Sequence, residues 1–446
     1  MRHAFGNTRT KLVAGAVLLC LATAASAQSA VIVGGGATLP AVGYAGATAD
    51  RLMTPDAGSL LAAYDSKYSL TSTYCQTGSG GGKNVLNGLT RAGNTAPDNV
   101  NIACVAPNPS TAPIGFGGTN AGQVQPHFVG SDSPLSSSDY ANYVSGHSAT
   151  ANAQPVQIPS VAGAISIVYN QPLVKELHLN ETQVCQIFSG QIKTWQDPAL
   201  ASAIVRTVPT AAPTGNISVV YRSDGSGTSF AFSNHLTAKC GNPAVVGSTF
   251  GANNIAPNFQ TNQDFLTAVS AYANNYFAKL PASGNPAVVT TIRQTSNSIG
   301  YAETANSLEA NTQRAFVKND ADGTDNNPVN FGTGVAVTTV TDQVISGTGA
   351  GGRPTLAAIS SPAQAGCVRL VDPAAYATPA TGYPIIAVSY FLGNNKGNGA
   401  DVTSVRNLLT APYDATIQSN ASLIGAGHGL SFLSGVDTSF VGTCVN

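Results

Sequence analysis

Charged residues are scarce in this sequence of 446 residues, of which only 9% are Asp, Glu, Lys or Arg. The formal net charge is −1 at pH 7, and the basic residues form no run. Nucleic acid binding relies on clustered Lys and Arg side chains, so the sequence argues against nucleic acid as a partner. An anion would have to be bound by local dipoles and a few placed charges rather than by a global field.

Long apolar runs are also missing beyond the first part of the chain. Residues 1–27 open with basic side chains, continue as an apolar stretch and end in Ala25, Ser26 and Ala27. This order is typical of a secretory signal peptide with a small-x-small cleavage site. Since no later segment has the apolar length of a membrane span, we expect no transmembrane anchor and a periplasmic or secreted protein.

Metal-binding spacings are scarce as well, because the sequence has no CxxC pair and no HxxxH motif. No metal and no other cofactor is therefore expected. Six of the seven cysteines follow residue 27, and an even number in an exported chain predicts disulfides. The sequence does not choose among the possible pairings. Pairing in sequence order closes one loop within each region: Cys75–Cys104, Cys185–Cys240 and Cys367–Cys444.

Strand-like and helix-like segments alternate along the chain, which predicts an α/β architecture of two domains. The segment 156–170 is a continuous apolar run, typical of a strand that is buried on both faces of a parallel sheet. The region 303–380 is different, because it is rich in Asn, Thr, Asp, Pro and Gly. We expect long surface loops there.

Four segments share one design, in which a strand end is followed by Gly or hydroxyl residues and then by a helix start. They are residues 36–39, 78–80, 131–133 and 222–229. The first turn of a helix exposes N–H groups and the positive end of its dipole, so it favours anions. Any one segment alone is well explained as an ordinary helix cap. The four together, one of them carrying Arg222 and Asp224, favour a shared oxyanion site.

The glycine-rich run GSGGGK, residues 78–83, has no Ser or Thr after its lysine, so it does not fit a nucleotide-binding P-loop. In order along the chain, GGGATLP, GSDSPLS, QIPSVAGAISIVYN, VCQIFSGQIKTW and VVYRSDGSGTSF instead resemble the periplasmic phosphate-binding proteins of ABC transporters. The resemblance is strongest to the secreted DING-type branch of that family. It covers about residues 31–302, with weaker similarity at TGYPII.

The resemblance implies an α/β, two-lobe, type II periplasmic-binding-protein-like fold with mostly parallel sheets and a ligand cleft between the lobes. Lobe one would comprise residues 28–158 and 300–446, and lobe two residues 159–299. The ligand would be inorganic phosphate, an ABC transporter permease would be a partner, and the protein would be a monomer.

The family's ligand residues carry over as donors, apart from two carboxylates, of which Asp132 resembles the acceptor of the site. Ser79 matches the serine of the second glycine turn, although Gly78 is an alternative match. Asp224 would orient the arginine of its motif. The complete set of implied phosphate-binding residues is Thr38, Leu39, Ser79, Asp132, Arg222, Asp224, Ser226, Gly227 and Thr228.

Three functions follow from these observations. The first is capture of inorganic phosphate for high-affinity uptake. The second is a secreted phosphomonoesterase of the DING-type alkaline phosphatase kind, although Ser133 and Ser226 have no evident His–Asp partners for nucleophilic catalysis. The third is a surface or matrix adhesive protein that uses the loops of 303–380. No catalytic residue is predicted.

Overall fold

The computed structural model describes residues 31–46, 55–88, 126–240, 258–332 and 335–446. The predicted signal peptide and Cys104 lie outside these residues. The strands in the described part of the chain are β1 (Val31–Gly36), β2 (Thr71–Gln76), β3 (Phe128–Ser131), β4 (Pro155–Asn170), β5 (Val174–Asn180), β6 (Ile204–Arg206), β7 (Ser218–Arg222), β8 (Ala278–Ala282), β9 (Ser298–Glu303), β10 (Gln313–Arg314), β11 (Phe316–Lys318), β12 (Asp325–Asn326), β13 (Val335–Ala336), β14 (Thr339–Thr341), β15 (Gln343–Thr348), β16 (Pro354–Ala358), β17 (Arg369–Val371), β18 (Ile386–Asn394) and β19 (Leu430–Ser434).

The helices alternate with the strands through most of the chain. Those described are α1 (Ala41–Ala45), α2 (Leu60–Tyr68), α3 (Gly78–Leu86), α4 (Ser137–Gly146), α5 (Glu181–Phe188), α6 (Gly227–Cys240), α7 (Phe265–Ala268), α8 (Gly284–Gln294), α9 (Thr304–Glu309), α10 (Pro373–Tyr376), α11 (Val402–Thr410), α12 (Ala415–Asn420) and α13 (Val441–Cys444). None of them combines the length and the apolarity that crossing a bilayer requires.

One mixed sheet organises the described residues, with the strand order β2-β1-β3-β18-β4-β9-β7-β8. The pairs at its two ends are parallel, whereas β18 pairs antiparallel with β3 and β4, and β4 pairs antiparallel with β9. The α/β class is thus confirmed, but the centre of the sheet is antiparallel. A continuous apolar run reports burial on both faces and carries no information on the direction of the neighbouring strands.

Strand β4 joins two groups of strands. Its residues 155–164 pair with β18, and its residues 165–170 pair with β9. We call β1, β2, β3 and β18 the first sheet half, and β7, β8 and β9 the second sheet half. The predicted lobe boundaries, at 158/159 and near 300, stay a prediction.

Two of the expected disulfides are present. Cys185 on α5 is bonded to Cys240 at the end of α6, and Cys367 is bonded to Cys444 on α13. Each therefore closes a loop within one region of the chain, as the sequence order favoured. The expected Cys75–Cys104 pair involves a residue outside the described part of the chain.

The region 303–380, expected as long surface loops, contains short strands from β10 to β17 and the helices α9 and α10. Strands β15 and β16 form an antiparallel pair. The region also contacts elements beside both sheet halves, since Ile345 N donates to Leu135 O at 2.9 Å and Arg353 Nη1 donates to Asn234 O at 2.7 Å. Strands of two to six residues are too short to show a hydrophobic alternation that can be recognised in a sequence.

Candidate functional site

The four predicted segments come together between the two sheet halves. Gly80 N, at the start of α3, donates to Gly225 O at 2.8 Å. A β-carbon at Gly227 would lie 2.4 Å from Ser79 Oγ and 2.6 Å from Asp132 Cβ. Only glycine permits so close an approach of one backbone to two neighbouring segments. The N-termini of α3 and α6 and the end of β3 therefore border one buried location.

Arg222 is the last residue of β7, and its side chain is almost fully buried, with 1% exposed. Its Nε donates to Asp224 Oδ1 at 2.7 Å, its Nη2 donates to Asp224 Oδ2, and its Nη1 donates to Thr228 Oγ1 at 3.3 Å. A guanidinium has five N–H donors, so two remain for a ligand. The fork geometry of these donors suits a tetrahedral oxyanion.

Asp224 holds the guanidinium in place. Burial works to raise the pKa of Asp224, but the charge of Arg222 and its hydrogen bonds outweigh burial. A further bond from Gly284 N, 3.0 Å from Asp224 Oδ1, acts in the same direction. The pKa of Asp224 therefore lies below its usual range, and the carboxylate stays ionised beside the arginine.

Asp132 follows β3 and has a different environment. The residue is 1% exposed, and its Oδ1 accepts a hydrogen bond from Ser389 Oγ at 2.7 Å. Burial raises the pKa of Asp132 to about 7, even though Ser389, the charge of Arg222 and Ser79 all act to lower it. At neutral pH this carboxyl therefore occurs in both its neutral and its ionised form, and the ionised form can accept a hydrogen bond from a ligand.

The remaining predicted residues are buried at helix starts. Leu39 packs its side chain into the hydrophobic core, so only its backbone can meet a ligand. Ser226 Oγ accepts from Ser229 N at 3.0 Å and caps α6, which leaves the hydroxyl proton of Ser226 available. Ser79 Oγ accepts from Asp132 N at 3.0 Å. Between the two alternative matches, Ser79 lies beside Asp132, whereas Gly78 lies against the carboxylate of Asp224.

Thr38 and Thr228 belong to opposite sides of the site and share one partner. Asn285 Nδ2 donates to Thr38 Oγ1 at 3.1 Å and to Thr228 Oγ1 at 3.2 Å. Asn285 N also donates to Thr38 Oγ1, at 3.2 Å. The structure thus brings all of the sequence-predicted site residues into one neighbourhood.

Two residues of this neighbourhood were missed from the sequence. Asn285 lies in α8, and the preceding β8 and Gly284 repeat the strand, glycine and helix order of the four segments, which was the available signal. Ser389 is the one serine of the mainly apolar β18, and nothing in the sequence pairs it with Asp132. Within the described ranges, no group of three or more His, Cys, Asp or Glu side chains is placed to hold a metal ion.

Comparisons with known proteins agree with this architecture. The model of the PBP superfamily domain matches residues 35–410. The chain is 29% identical over 420 residues to alkaline phosphatase L of Pseudomonas aeruginosa, which covers 93% of this chain and 88% of that protein. It is 34% identical over 155 residues to the phosphate-binding protein PstS of Haemophilus influenzae, covering 34% of this chain and 39% of the relative.

Solved structures show the same fold. A high affinity periplasmic phosphate-binding protein of the DING type, bound with phosphate, superposes with a TM-score of 0.57 at 24% identity and covers 92% of both chains. A phosphate-binding protein from Stenotrophomonas maltophilia gives a TM-score of 0.57 at 23% identity and covers 93% of both chains. The predicted periplasmic-binding-protein-like fold is confirmed.

Proposed function

The chain belongs to the PBP superfamily, and from this we propose that it captures inorganic phosphate between its two sheet halves for high-affinity uptake. One arrangement supports phosphate above all: a buried guanidinium and a buried carboxyl border the same location. The guanidinium of Arg222 can donate hydrogen bonds to phosphate oxygens, and the carboxylate of Asp132 can accept a hydrogen bond from the hydroxyl that phosphate carries at neutral pH. Relatives named as phosphate-binding proteins support the same ligand.

Each predicted residue has a role in this proposal. Five side chains would donate hydrogen bonds to the phosphate oxygens. They are those of Arg222, Thr38, Thr228, Ser79 and Ser226. Backbone N–H groups of the helix starts add donors whose dipoles favour an anion. These backbone donors belong to Leu39, Gly227 and Thr228. Asp224 orients Arg222 without contacting the ligand, and Asp132 is the single acceptor.

A second candidate is a phosphomonoesterase, because the relative that matches 93% of this chain is named alkaline phosphatase L. A site that binds a phosphate dianion with a guanidinium and several hydroxyls also suits a phosphomonoester or its transition state. Capture and hydrolysis differ in whether product is released, so they can be separated directly.

The deciding experiment combines calorimetry with a hydrolysis assay on metal-stripped protein. Titration with phosphate, sulfate and a phosphomonoester should give saturation at one phosphate per chain, with no product released from the ester. Hydrolysis that survives purification and disappears in both Arg222→Ala and Asp132→Ala would establish the enzyme instead. Hydrolysis that persists in both variants would identify a contaminating phosphatase.

We further propose that the mature chain is exported, acts as a monomer and delivers phosphate to an ABC transporter permease. The basic and apolar start of the sequence supports export, and relatives named periplasmic phosphate-binding proteins support the location. Fractionation of cells, followed by sedimentation of the purified protein, would test the location and the monomeric state.

A further inference from the structure

Asn285 has contacts that point to a more specific role than anchoring the start of α8. Its side chain is fully buried, with 0% of the residue exposed. Both N–H groups of Nδ2 are used, one on the hydroxyl of Thr38 and one on the hydroxyl of Thr228. Its Oδ1 accepts from Glu303 N at 3.3 Å, which fixes the orientation of the amide. One side chain therefore determines the surroundings of two hydroxyls.

Each of these hydroxyls has both of its acceptor positions occupied. Thr38 Oγ1 accepts from Asn285 Nδ2 and from Asn285 N, at 3.1 and 3.2 Å. Thr228 Oγ1 accepts from Asn285 Nδ2 at 3.2 Å and from Arg222 Nη1 at 3.3 Å. A hydroxyl has two lone pairs and one proton. Its proton must then point away from these donors, and within the described part of the chain neither hydroxyl donates to a protein acceptor.

The same contacts connect the two sides of the site. Asn285 begins α8, which packs on β7, β8 and β9 of the second sheet half. Thr38 lies in the turn that follows β1 of the first sheet half. A bond between Thr38 and Asn285 can exist only while these two segments are close together. It therefore forms with the arrangement that surrounds the ligand.

We propose that Asn285 is a positioning residue for phosphate: it directs the hydroxyl protons of Thr38 and Thr228 towards the ligand while it holds the two sides of the site together. This inference rests on the proposed function. A hydroxyl that is free to rotate must lose that freedom when it donates to an anion, and a competing acceptor would take its proton. Two hydroxyls that already accept two bonds each are arranged in advance as donors.

The first test is the phosphate affinity of Asn285→Ala, measured by calorimetry beside the wild type. Loss of two orienting hydrogen bonds should weaken binding about 10- to 30-fold, since each contributes about 1 kcal/mol. Asn170→Ala is the matched control, because Asn170 Nδ2 donates to Ile292 O and Arg293 O at the opposite end of α8. Asn170→Ala should bind phosphate as the wild type does. An equal loss of phosphate affinity in both variants would show that Asn285 only anchors the helix.

A double-mutant cycle with Thr228→Val tests whether Asn285 acts through the hydroxyl. If it does, the loss caused by Asn285→Ala should be at least about threefold smaller in the Thr228→Val background than in the wild type. If Asn285→Ala lowered phosphate affinity by the same factor in both backgrounds, the positioning role would be overturned. A purely structural effect of Asn285 does not depend on the hydroxyl of Thr228.

Asn285→Asp serves if the alanine variant does not fold, since it keeps the shape of the side chain and the acceptor for Glu303 N. Its carboxylate would accept the protons of both hydroxyls, so phosphate binding should fall more than about 100-fold. Wild-type affinity in this variant would overturn the inference about Asn285 but not the proposed function. Absence of phosphate binding by the wild type would overturn the proposed function, and this inference with it.

Discussion

Asp132 and Asp224 are carboxylates beside the same arginine, yet their pKa values shift in opposite directions. Asp224 contacts the guanidinium of Arg222 through both of its oxygens and accepts from Gly284 N. Asp132 is more deeply buried, and its bond from Ser389 comes from a neutral hydroxyl. A direct cationic contact compensates the desolvation of Asp224, whereas a hydroxyl and a more distant charge do not compensate that of Asp132.

This difference separates two tasks that a phosphate site needs. A permanently ionised carboxylate keeps the buried cation in position and neutralises part of its charge. A carboxyl that titrates near neutral pH can pair with a ligand that brings its own proton. The type of residue is the same in both cases, so the partner and the depth of burial decide the task.

Removal of the shared arginine should have the largest effect. Arg222→Ala deletes the buried cation and leaves Asp224 without its partner, so phosphate affinity should fall by about 2–5 kcal/mol. Calorimetry measures the loss, with the exposed Arg206→Ala as a control that keeps wild-type affinity. Equal affinity in the wild type and Arg222→Ala would place the ligand elsewhere.

A smaller effect, on the selectivity for phosphate over sulfate, is expected when Asp132 loses its charge. Sulfate carries no proton at neutral pH, so it leaves the ionised form of the Asp132 carboxyl unpaired and facing like charge, and the preference for phosphate over sulfate should grow as pH rises above about 7. Asp132→Asn should relax the discrimination, because an amide can donate as well as accept. Competition of sulfate against phosphate in both proteins measures it, and equal binding of both anions by the wild type would remove Asp132 from the site.

Another effect of Asp132 concerns the stability of the protein in the absence of phosphate. The folded pKa of Asp132, about 7, lies above its ordinary value of 3.8, so its contribution to stability is present below about pH 4 and is lost as pH rises through 7. Relative to the wild type, Asp132→Asn should therefore gain unfolding free energy between pH 4 and pH 8, by an amount on the order of a few kcal/mol. Urea unfolding at several pH values measures this gain.

Asp224→Asn sharpens the comparison of the two carboxylates, because its effect on stability should have the opposite sign to that of Asp132→Asn. The folded pKa of Asp224 is lowered, so its stabilising contribution is present above the ordinary pKa of the carboxyl and is lost as pH falls through the folded value. The loss of unfolding free energy in Asp224→Asn, relative to the wild type, should therefore be largest at neutral pH. If both variants showed the same change with pH, the two carboxylates would not differ as the structure indicates.

The amino-acid sequence was sufficient to predict the elements that carry the site. Four strand-to-helix turns rich in Gly, Ser and Thr were recognisable because helix N-termini need short polar caps and because close backbone approach needs glycine. The structure brings these turns together at Gly80, Gly225 and Gly227. Two of the three disulfides expected from sequence order are also present.

Partners that are far apart in the chain were decided by the tertiary structure alone. Local patterns determine caps, turns and burial, because they depend on neighbours within a few residues. The antiparallel pairing of β4, the bond from Ser389 to Asp132 and the bridge by Asn285 depend on which segments fold against each other. The opposite pKa shifts of Asp132 and Asp224 follow from those long-range contacts, since desolvation and charge are properties of the folded surroundings and not of the residue type.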